Sequence, residues 1–209
     1  MESFEPTNEP PAQALTEAPV IPALETPAEE KTNWKQFAFD LIETLALAVI
    51  LYFGINAISA RVRVDGFSMN PTLQDGEYVL VSKLSYRLGE PQHGDIIVFK
   101  YPGELQQDLI KRIVGLPGDA VQVSGLAVYV NGEALTEPYI AAAPIYQGQW
   151  QVPDGFLFVL GDNRNDSSDS HSWGLLPIEN VIGKAILIYW PPPMWKAISH
   201  YEIAVAAPQ

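Results

Sequence analysis

The sequence contains no cysteine, and it has few basic residues. The missing thiols exclude a cysteine nucleophile, a disulfide-stabilised scaffold and a metal site built from thiolates. Twelve Lys and Arg stand against 25 Asp and Glu, which gives a net charge of −13 at pH 7. A chain of that charge has little with which to neutralise phosphates, so we expect no nucleic-acid partner. Its 209 residues leave room for one domain with accessory segments.

The first 35 residues differ in composition from the rest of the chain. They contain seven Glu, two Lys and six of the 18 prolines. Such a segment has few groups to bury, so we expect residues 1–35 to form a disordered, acidic, Pro-rich tail. A cleavable signal peptide fits poorly, because its positive start would have to be this acidic tail. We expect residues 201–209 to be a short C-terminal tail.

An apolar segment, residues 36–60, follows the acidic tail. Its last seventeen residues carry no charged side chain. As a helix the segment would be roughly 36 Å long, which is enough to cross a bilayer. Trp34 and Phe37 at one end, and Arg61 and Arg63 at the other, are typical of interfacial anchors. A buried core helix and an amphipathic interfacial helix remain alternatives, and the flanking charges leave the orientation open.

From Arg61 onward the pattern changes from helical to short β-rich runs separated by turn signals. The runs are Val62–Val64, Tyr78–Val81, Ile96–Phe99, Leu109–Val114, Ala120–Val123, Ala127–Val130, Phe156–Leu160 and Ala185–Trp190. The absence of helical crossovers predicts a mainly β fold over residues 61–200, with antiparallel sheets or a partly open barrel. Within it we expect an accessory β region at roughly 120–155. The Asn131-Gly132 pair predicts a tight hairpin.

Ser68 is the first candidate nucleophile. It lies at the end of the first predicted strand, in the segment Gly66–Leu73, and a Pro-containing turn follows it. A serine in this position can be presented at a sheet edge, with its backbone N–H directed into a cleft. Serines before turns are more often capping residues, so this segment alone does not establish catalysis.

Lys111 is the unusual residue of a strand that is otherwise largely apolar. Because side chains alternate along a strand, it shares a face with Leu109 and Ile113. If that face is buried, desolvation lowers the pKa of the amine. A base near pH 8 needs a fall of about 2 units from about 10.4, or roughly 3 kcal/mol. A lysine that extends from an edge strand into water remains the alternative.

A polar loop, Gly161–Gly174, follows the last apolar strand but one. A calcium-binding loop is rejected, because Arg164 would occupy the third ligand position. We interpret the segment as a loop packed beside a site, with Asp162 and Asp169 as ion-pair partners. Ser167 would supply a hydroxyl that orients a neighbour.

His171 raises a competing enzyme hypothesis, a Ser-His-Asp triad with Ser68. The chain has three histidines, and no Gly-x-Ser-x-Gly motif surrounds Ser68. The sequence alone leaves the triad open.

Together, in this order and behind an apolar helix, these segments resemble the type I signal peptidases. The matching blocks are Ser68–Leu73, Gly94–Phe99, Lys111–Asp119 and the polar loop, and the resemblance covers roughly residues 37–190. It implies a membrane-bound serine endopeptidase that removes signal peptides from secretory preproteins. It further implies cleavage after small residues in an Ala-x-Ala pattern, with no cofactor and no metal.

The resemblance also assigns roles at individual positions. Ser68 matches the nucleophile and Lys111 the general base. Ser167 matches a serine whose hydroxyl helps to orient that lysine. Asp162 and Arg112 match a structural ion pair beside the site.

Two positions depart from the family pattern. Asp169 matches an acid that normally pairs with an arginine two positions on, but here that position is His171. Gly66 stands where some members have a serine that completes the oxyanion hole. The support behind the site and the second oxyanion donor are therefore open.

The family's substrate would bind as an added strand against two segments of the chain. The residues expected to contact it are Asp65, Gly66, Phe67, Asp108, Leu109 and Ile110. The resemblance implies preproteins and the lipid bilayer as partners, and a single-pass protein of the cell membrane with its catalytic domain on the outer face. Two rival hypotheses remain: an anchored β domain that only binds peptides, and a self-cleaving Ser/Lys repressor-type peptidase.

Overall fold

The computed structural model describes residues 33–103 and 107–201. The predicted acidic tail and C-terminal tail lie almost wholly outside the described residues. Trp34 and Lys35, which were predicted to belong to the tail, are already helical. Internal contacts group the chain into two units, Met1–Thr44 and Leu45–Gln209, and the boundary falls inside the first helix.

The first helix, α1, runs from Trp34 to Ile58. It has a mean hydropathy of 2.0, and its apolar window is not buried against the described residues. Its length and composition are therefore consistent with a single-pass membrane anchor. The helix ends two residues before the predicted end, because Ser59 and Ala60 already pair in a strand.

No linker separates this helix from the first strand. Lys83, which lies on the β side of the junction, donates from its backbone N–H to the carbonyl of Ile58 at 2.9 Å. Its ammonium donates to the carbonyl of Asn56 at 3.0 Å. A lysine at this point satisfies carbonyls that the last turn of a helix otherwise leaves without partners, and its charge suits the negative end of the helix.

Twelve strands follow in the described residues. They are β1 Ser59–Arg63, β2 Tyr78–Ser82, β3 Ile96–Lys100, β4 Asp108–Gly115, β5 Ala120–Ser124, β6 Ala127–Val130, β7 Glu133–Ala134, β8 Gly148–Gln151, β9 Phe156–Leu160, β10 Leu176–Pro177, β11 Val181–Trp190 and β12 Lys196–Ala197. Two short helices, α2 Ser85–Leu88 and α3 Ser170–Trp173, and two 3-10 turns, Ile178–Asn180 and Pro192–Met194, complete the elements.

The larger sheet has the strand order β1-β2-β11-β3-β4-β9-β10, and β12 pairs with β11. All of these pairings are antiparallel. The sheet stays open, because β1 and β10 at its two ends are not paired with each other in the described residues. The predicted mainly β fold with antiparallel sheets and one N-terminal helix is confirmed.

A smaller sheet, β7-β6-β5-β8, is formed by strands between Ala120 and Gln151. The predicted hairpin is confirmed: β6 and β7 pair around Asn131 and Gly132. Both turn residues have positive φ, 53° and 86°, as a two-residue type I′ turn requires. We call residues 120–155, which contain this sheet, the accessory region.

The central strands of the larger sheet are buried on both faces. In β3, Ile96 and Val98 pack into one core cluster, while Ile97 and Phe99 pack into another. Such double burial explains why the run is apolar without alternation. The neighbouring strand β4 is buried continuously from Ile110 to Gly115, so its two cationic residues lie inside the protein.

Phe158 joins the two sheets. Its side chain is fully buried and contacts the ring of Trp150 in the accessory region, with ring centroids 4.8 Å apart. We expect Phe158→Ala to lower the free energy of unfolding by about 3–5 kcal/mol, since it removes a large core side chain. Urea unfolding of the chain in detergent measures this. The control Leu126→Ala, at a side chain that is 63% exposed, should stay within about 0.5 kcal/mol. Equal effects of the two substitutions would contradict the assignment.

Candidate active site

Ser68 lies in a turn that is anchored to the core by buried side chains. Beyond β1 the pairing continues to Val64, whose N–H donates to the carbonyl of Glu77 at 2.8 Å. The chain then turns, and Met69 and Leu73 insert into the core with exposures of 1% and 0%. Ser68 itself stays partly exposed, so its hydroxyl is anchored yet accessible.

The polar loop, Gly161–Gly174, holds the backbone of this turn from the other side. The N–H of Asn163 donates to the carbonyl of Ser68 at 3.0 Å, and its side-chain amide donates to the carbonyl of Phe67 at 3.2 Å. A Cβ at Gly161 would collide with the Ser68 carbonyl oxygen and the Ser167 hydroxyl. Glycine is therefore required for this close approach.

Lys111 reaches Ser68 from β4. Its Nζ lies 2.8 Å from Ser68 Oγ and 3.0 Å from the carbonyl oxygen of Ile110, and the residue is 3% exposed. Burial lowers the pKa of this amine from 10.5 to about 8, although the nearby carboxylates of Asp169 and Asp162 act in the opposite direction. The predicted pair is thus brought together, with an amine that can lose its proton at mildly alkaline pH.

Arg112, the next residue along β4, is fully paired. Its Nε and one terminal nitrogen donate to the two oxygens of Asp162 at 2.8 and 2.7 Å. The other terminal nitrogen donates to the carbonyl of Gly94 at 2.8 Å. The hydroxyl of Thr72 also donates to Asp162. Both members of the ion pair are buried, so this set of hydrogen bonds is what offsets their loss of hydration. It joins β4, the polar loop and the Ser68 turn.

Asp169 pairs with His171, a contact that the sequence had left open. The His171 Nδ1 lies 2.6 Å from Asp169 Oδ1, and the backbone N–H of Gly161 donates to Oδ2 at 2.9 Å. Asp169 also caps α3, in a reciprocal arrangement with Ser172. The replacement of arginine by histidine therefore leaves the buried carboxylate with a side-chain partner.

The triad hypothesis is not supported by this geometry. The ring of His171 is stacked on Tyr146 at a centroid distance of 4.1 Å and is bonded to Asp169. Among the described residues no hydrogen bond joins His171 to Ser68, whose hydroxyl is bonded to Lys111 instead.

Ser167 does not make the predicted hydrogen bond to Lys111. Its Oγ is buried and has no hydrogen-bond partner in the described part of the chain. The reason is that the lysine Nζ is directed to Ser68 Oγ and to the carbonyl of Ile110.

A narrow cleft opens at the Ser68–Lys111 pair. It has a volume of about 70 Å³ and is lined by the pair itself, by Arg63–Asp65 with Met69, and by Asp108–Ile110. Four of the predicted substrate-binding residues, Asp65, Asp108, Leu109 and Ile110, lie in it.

The other two predicted substrate-binding residues lie outside this cleft. Phe67 is 59% exposed and lines a neighbouring cavity of about 340 Å³. The N–H of Gly66 donates to a carboxylate oxygen of Asp75 at 2.8 Å and is therefore engaged. The backbone N–H of Ser68 has no acceptor among the described residues, so it is available to a ligand.

Sequence reasoning missed the contribution of the accessory region. Glu137 forms a buried ion pair with Arg164 of the polar loop, with N–O distances of 2.7 Å. Tyr139 places its ring 3.9 Å from the Arg112 guanidinium. No local pattern marks Glu137, because its partner is 27 residues away. In the described part of the chain, no group of three or more His, Asp or Glu could hold a metal ion.

Comparisons with known proteins agree on one family. The family model described as signal peptidase, peptidase S26, matches residues 38–190. The probable signal peptidase I-2 of Synechocystis is 44% identical over 176 residues, which is 81% of each chain. The signal peptidase I of Leptolyngbya laminosa is 45% identical over 160 residues, 72% of this chain and 78% of that one.

A solved structure is also similar. The crystal structure of a signal peptidase I from Enterococcus faecalis is 33% identical, with a TM-score of 0.43, and the match covers 46% of this chain and 97% of that chain. The family model spans more than half of the sequence, and both curated relatives are more than 40% identical over most of it. The chain therefore belongs to the type I signal peptidases of the peptidase S26 family.

Proposed function

We propose that this chain removes signal peptides from secretory preproteins by acyl transfer, with Ser68 as nucleophile and Lys111 as general base. The observation that carries the proposal is the 2.8 Å contact between Lys111 Nζ and Ser68 Oγ, made by an amine that is 3% exposed. A lysine serves as a base only when its pKa is lowered toward the working pH, and burial has that effect here.

The proposed reaction has two stages. Neutral Lys111 accepts the proton of Ser68 while Oγ attacks the scissile carbonyl carbon, and the Ser68 N–H donates to the developing oxyanion. The C–N bond then breaks, and the Lys111 ammonium returns its proton to the leaving amine. In the second stage Lys111 accepts a proton from water, which attacks the ester carbonyl carbon. The C–O bond to Ser68 then breaks, the Lys111 ammonium returns its proton to Ser68 Oγ, and the signal peptide leaves with a free carboxylate.

Four further residues have supporting roles in this proposal. Asp162 and Arg112 fix the polar loop to β4 through their buried ion pair, and the Thr72 hydroxyl joins Asp162 to the Ser68 turn. Asp169 holds the backbone of Gly161 and stabilises the protonated form of Lys111. Ser167 supplies a buried hydroxyl that is free to take up a hydrogen bond during the reaction.

The preprotein would bind as an added strand at an unpaired edge. Among the described residues, β4 pairs over Asp108–Lys111 with β3 on one side only, because its pairing with β9 begins at Arg112. The opposite edge, together with Asp65–Phe67, offers backbone groups to an extended peptide. The 70 Å³ cleft is small beside the roughly 300–1,000 Å³ of ordinary ligand pockets, which favours the small side chains of an Ala-x-Ala motif.

We further propose that α1 crosses the cell membrane once and that the β domain lies on its outer face. The support is the 25-residue apolar helix, while the orientation follows from the family resemblance. A shared bilayer would raise the effective concentration of the signal peptide at the enzyme without any new contact.

Substitution of Ser68 and Lys111, which we call the Ser68–Lys111 dyad, tests their proposed roles. Ser68→Ala and Lys111→Met should each lower preprotein cleavage by at least about 10³-fold, because each removes a group that acts on the reacting atoms. The measurement is cleavage by purified protein, with circular dichroism to verify folding. Lys100→Met, at an exposed lysine of β3, is the matched control and should retain activity.

Two outcomes would contradict the dyad. Substantial activity in Lys111→Met would exclude the lysine as base, and complete loss in His171→Ala with an active Lys111→Met would favour the triad. Binding of signal peptides without any cleavage by the unaltered chain would favour the peptide-binding hypothesis.

The pH dependence follows from the state of Lys111. Only the neutral amine accepts the Ser68 proton, so kcat/KM should rise with pH through a midpoint of about 8. Asp169→Asn removes a carboxylate that raises this pKa, so the midpoint should move to lower pH. Initial rates between pH 6 and 10 measure both effects. A profile that still rises up to pH 10 would mean that the amine is not desolvated.

The anchor makes a separate prediction. Because α1 is apolar over the width of a bilayer, the protein should remain with membranes after a carbonate wash and leave them only in detergent. Protease added to intact, right-side-out cells should digest the β domain. Recovery in the carbonate supernatant would exclude a transmembrane anchor, and protection from protease would reverse the orientation.

A further inference from the structure

The accessory region holds the polar loop through a buried ion pair. Glu137 and Arg164 contact each other through both carboxylate oxygens and both terminal guanidinium nitrogens, and their side chains are 6% and 0% exposed. The Tyr139 hydroxyl donates to the same carboxylate at 3.0 Å. One hydrogen bond, from Arg164 Nη1 to Glu137 Oε2, joins the pair, while Nη2 makes a charge contact with Oε1 and has no hydrogen-bond partner in the described part of the chain. Loss of either residue would leave an unpaired charge inside the protein, so each restrains the position of the other.

Two more contacts join the accessory region to the polar loop. The side-chain amide of Asn165 accepts from the N–H of Ile145 and donates to the carbonyl of Ala143, both at 2.9 Å. The stack of Tyr146 on His171 is the second. The accessory region thus holds the loop at residues 164, 165 and 171.

Arg164 transmits this restraint to the nucleophile. Its Nε donates to the carbonyl of Gly161 at 3.1 Å and so closes the turn that begins the loop. Within that turn Asn163 donates to the Ser68 carbonyl, and Gly161 lies directly against it. A shift of Arg164 would therefore move the peptide groups that set the position of Ser68.

Tyr139, two residues after Glu137, connects the accessory region to Arg112 of β4. Its ring centroid lies 3.9 Å from the guanidinium carbon of Arg112 and 5.9 Å from that of Arg164. An aromatic ring within about 6 Å of a guanidinium group attracts the cation. Glu137 therefore contacts Arg164, and Tyr139 lies near both Arg164 and Arg112, the neighbour of Lys111 in β4.

We propose that Glu137 is a positioning residue for the Ser68–Lys111 dyad and acts through Arg164. This inference rests on the proposed function and assigns a task to the accessory region. Glu137 contacts neither residue of the dyad. Its effect is to hold the Gly161–Arg164 turn where the Ser68 hydroxyl meets the Lys111 amine.

The test compares Glu137→Gln with Glu133→Gln in the full-length chain in detergent. Both changes neutralise one carboxylate of the accessory region, but Glu133 is exposed, and no hydrogen bond or ion pair joins it to the polar loop among the described residues. With a preprotein substrate, and with rates expressed per active site, Glu137→Gln should lower kcat by roughly 10- to 100-fold and change KM less than about threefold. Glu133→Gln should change neither value.

A double-mutant cycle tests the route through Arg164. If Glu137 acts through that residue, Glu137→Gln should cost little further activity in an Arg164→Gln chain. Tyr139→Phe keeps the ring and removes only the hydrogen bond to Glu137, so it should fold normally and lower kcat by about two- to fivefold. Losses that multiply in the double variant, or an unchanged kcat in Glu137→Gln, would overturn the proposal.

Amide hydrogen exchange provides a readout that does not depend on cleavage. The Asn163 amide is bonded to the Ser68 carbonyl, and its exchange should become about tenfold faster in Glu137→Gln but not in Glu133→Gln. Equal exchange in the two variants would overturn the positioning role. If the unaltered chain shows no cleavage dependent on Ser68, the proposed function fails, and the exchange result decides the positioning of the turn on its own.

Discussion

The site depends on the burial of two neighbouring cationic side chains in a strand that is covered on both faces. Charge inside a protein is costly unless it is paired, and the two cations are treated differently. Arg112 receives both oxygens of Asp162 and a backbone carbonyl, so it remains charged in a stable arrangement. In the described part of the chain, Lys111 Nζ has only the Ser68 hydroxyl and the Ile110 carbonyl oxygen as hydrogen-bond partners. The Asp162 carboxylate thus bonds to Arg112 and not to Lys111. Arg112 is therefore a fixed cation that maintains structure, while the amine of the neighbouring Lys111 can give up its proton.

The nucleophile is outside any strand, yet three sets of contacts with the core and the polar loop hold its turn. Apolar side chains anchor its turn to the core, the polar loop bonds to the Ser68 carbonyl, and Thr72 links the same turn to Asp162. The accessory region contributes indirectly, because it contacts the loop and not Ser68. A hydroxyl positioned by layers of this kind needs little reorganisation before it reacts, which is how preorganised sites lower activation barriers.

Much of this arrangement could be predicted from the sequence, and the exceptions have physical causes. The uncharged apolar segment predicted α1, and the Asn131-Gly132 pair predicted its hairpin, because each feature is local. Alternation along β4 could not decide the burial of Lys111, since both faces of that strand are covered. Two features depend on contacts between segments far apart in the chain. One is the direction of the Lys111 amine, which leaves the Ser167 hydroxyl without a hydrogen-bond partner among the described residues, and the other is the pairing of Glu137 with Arg164.

The direct passage from α1 into β1 limits the distance over which the enzyme can work. Ser68 lies only ten positions after Ile58, and an extended chain rises about 3.3 Å per residue, so the nucleophile lies within about 33 Å of the helix end. The hydrogen bonds from Lys83 to Asn56 and Ile58 restrict the movement of β1 relative to the helix end that a flexible linker would allow. If the helix spans a bilayer as proposed, peptide bonds far from the membrane surface would stay out of reach whatever their sequence. Substrates would then be selected first by the distance of the scissile peptide bond from the membrane surface, and only afterwards by the side chains that enter the cleft.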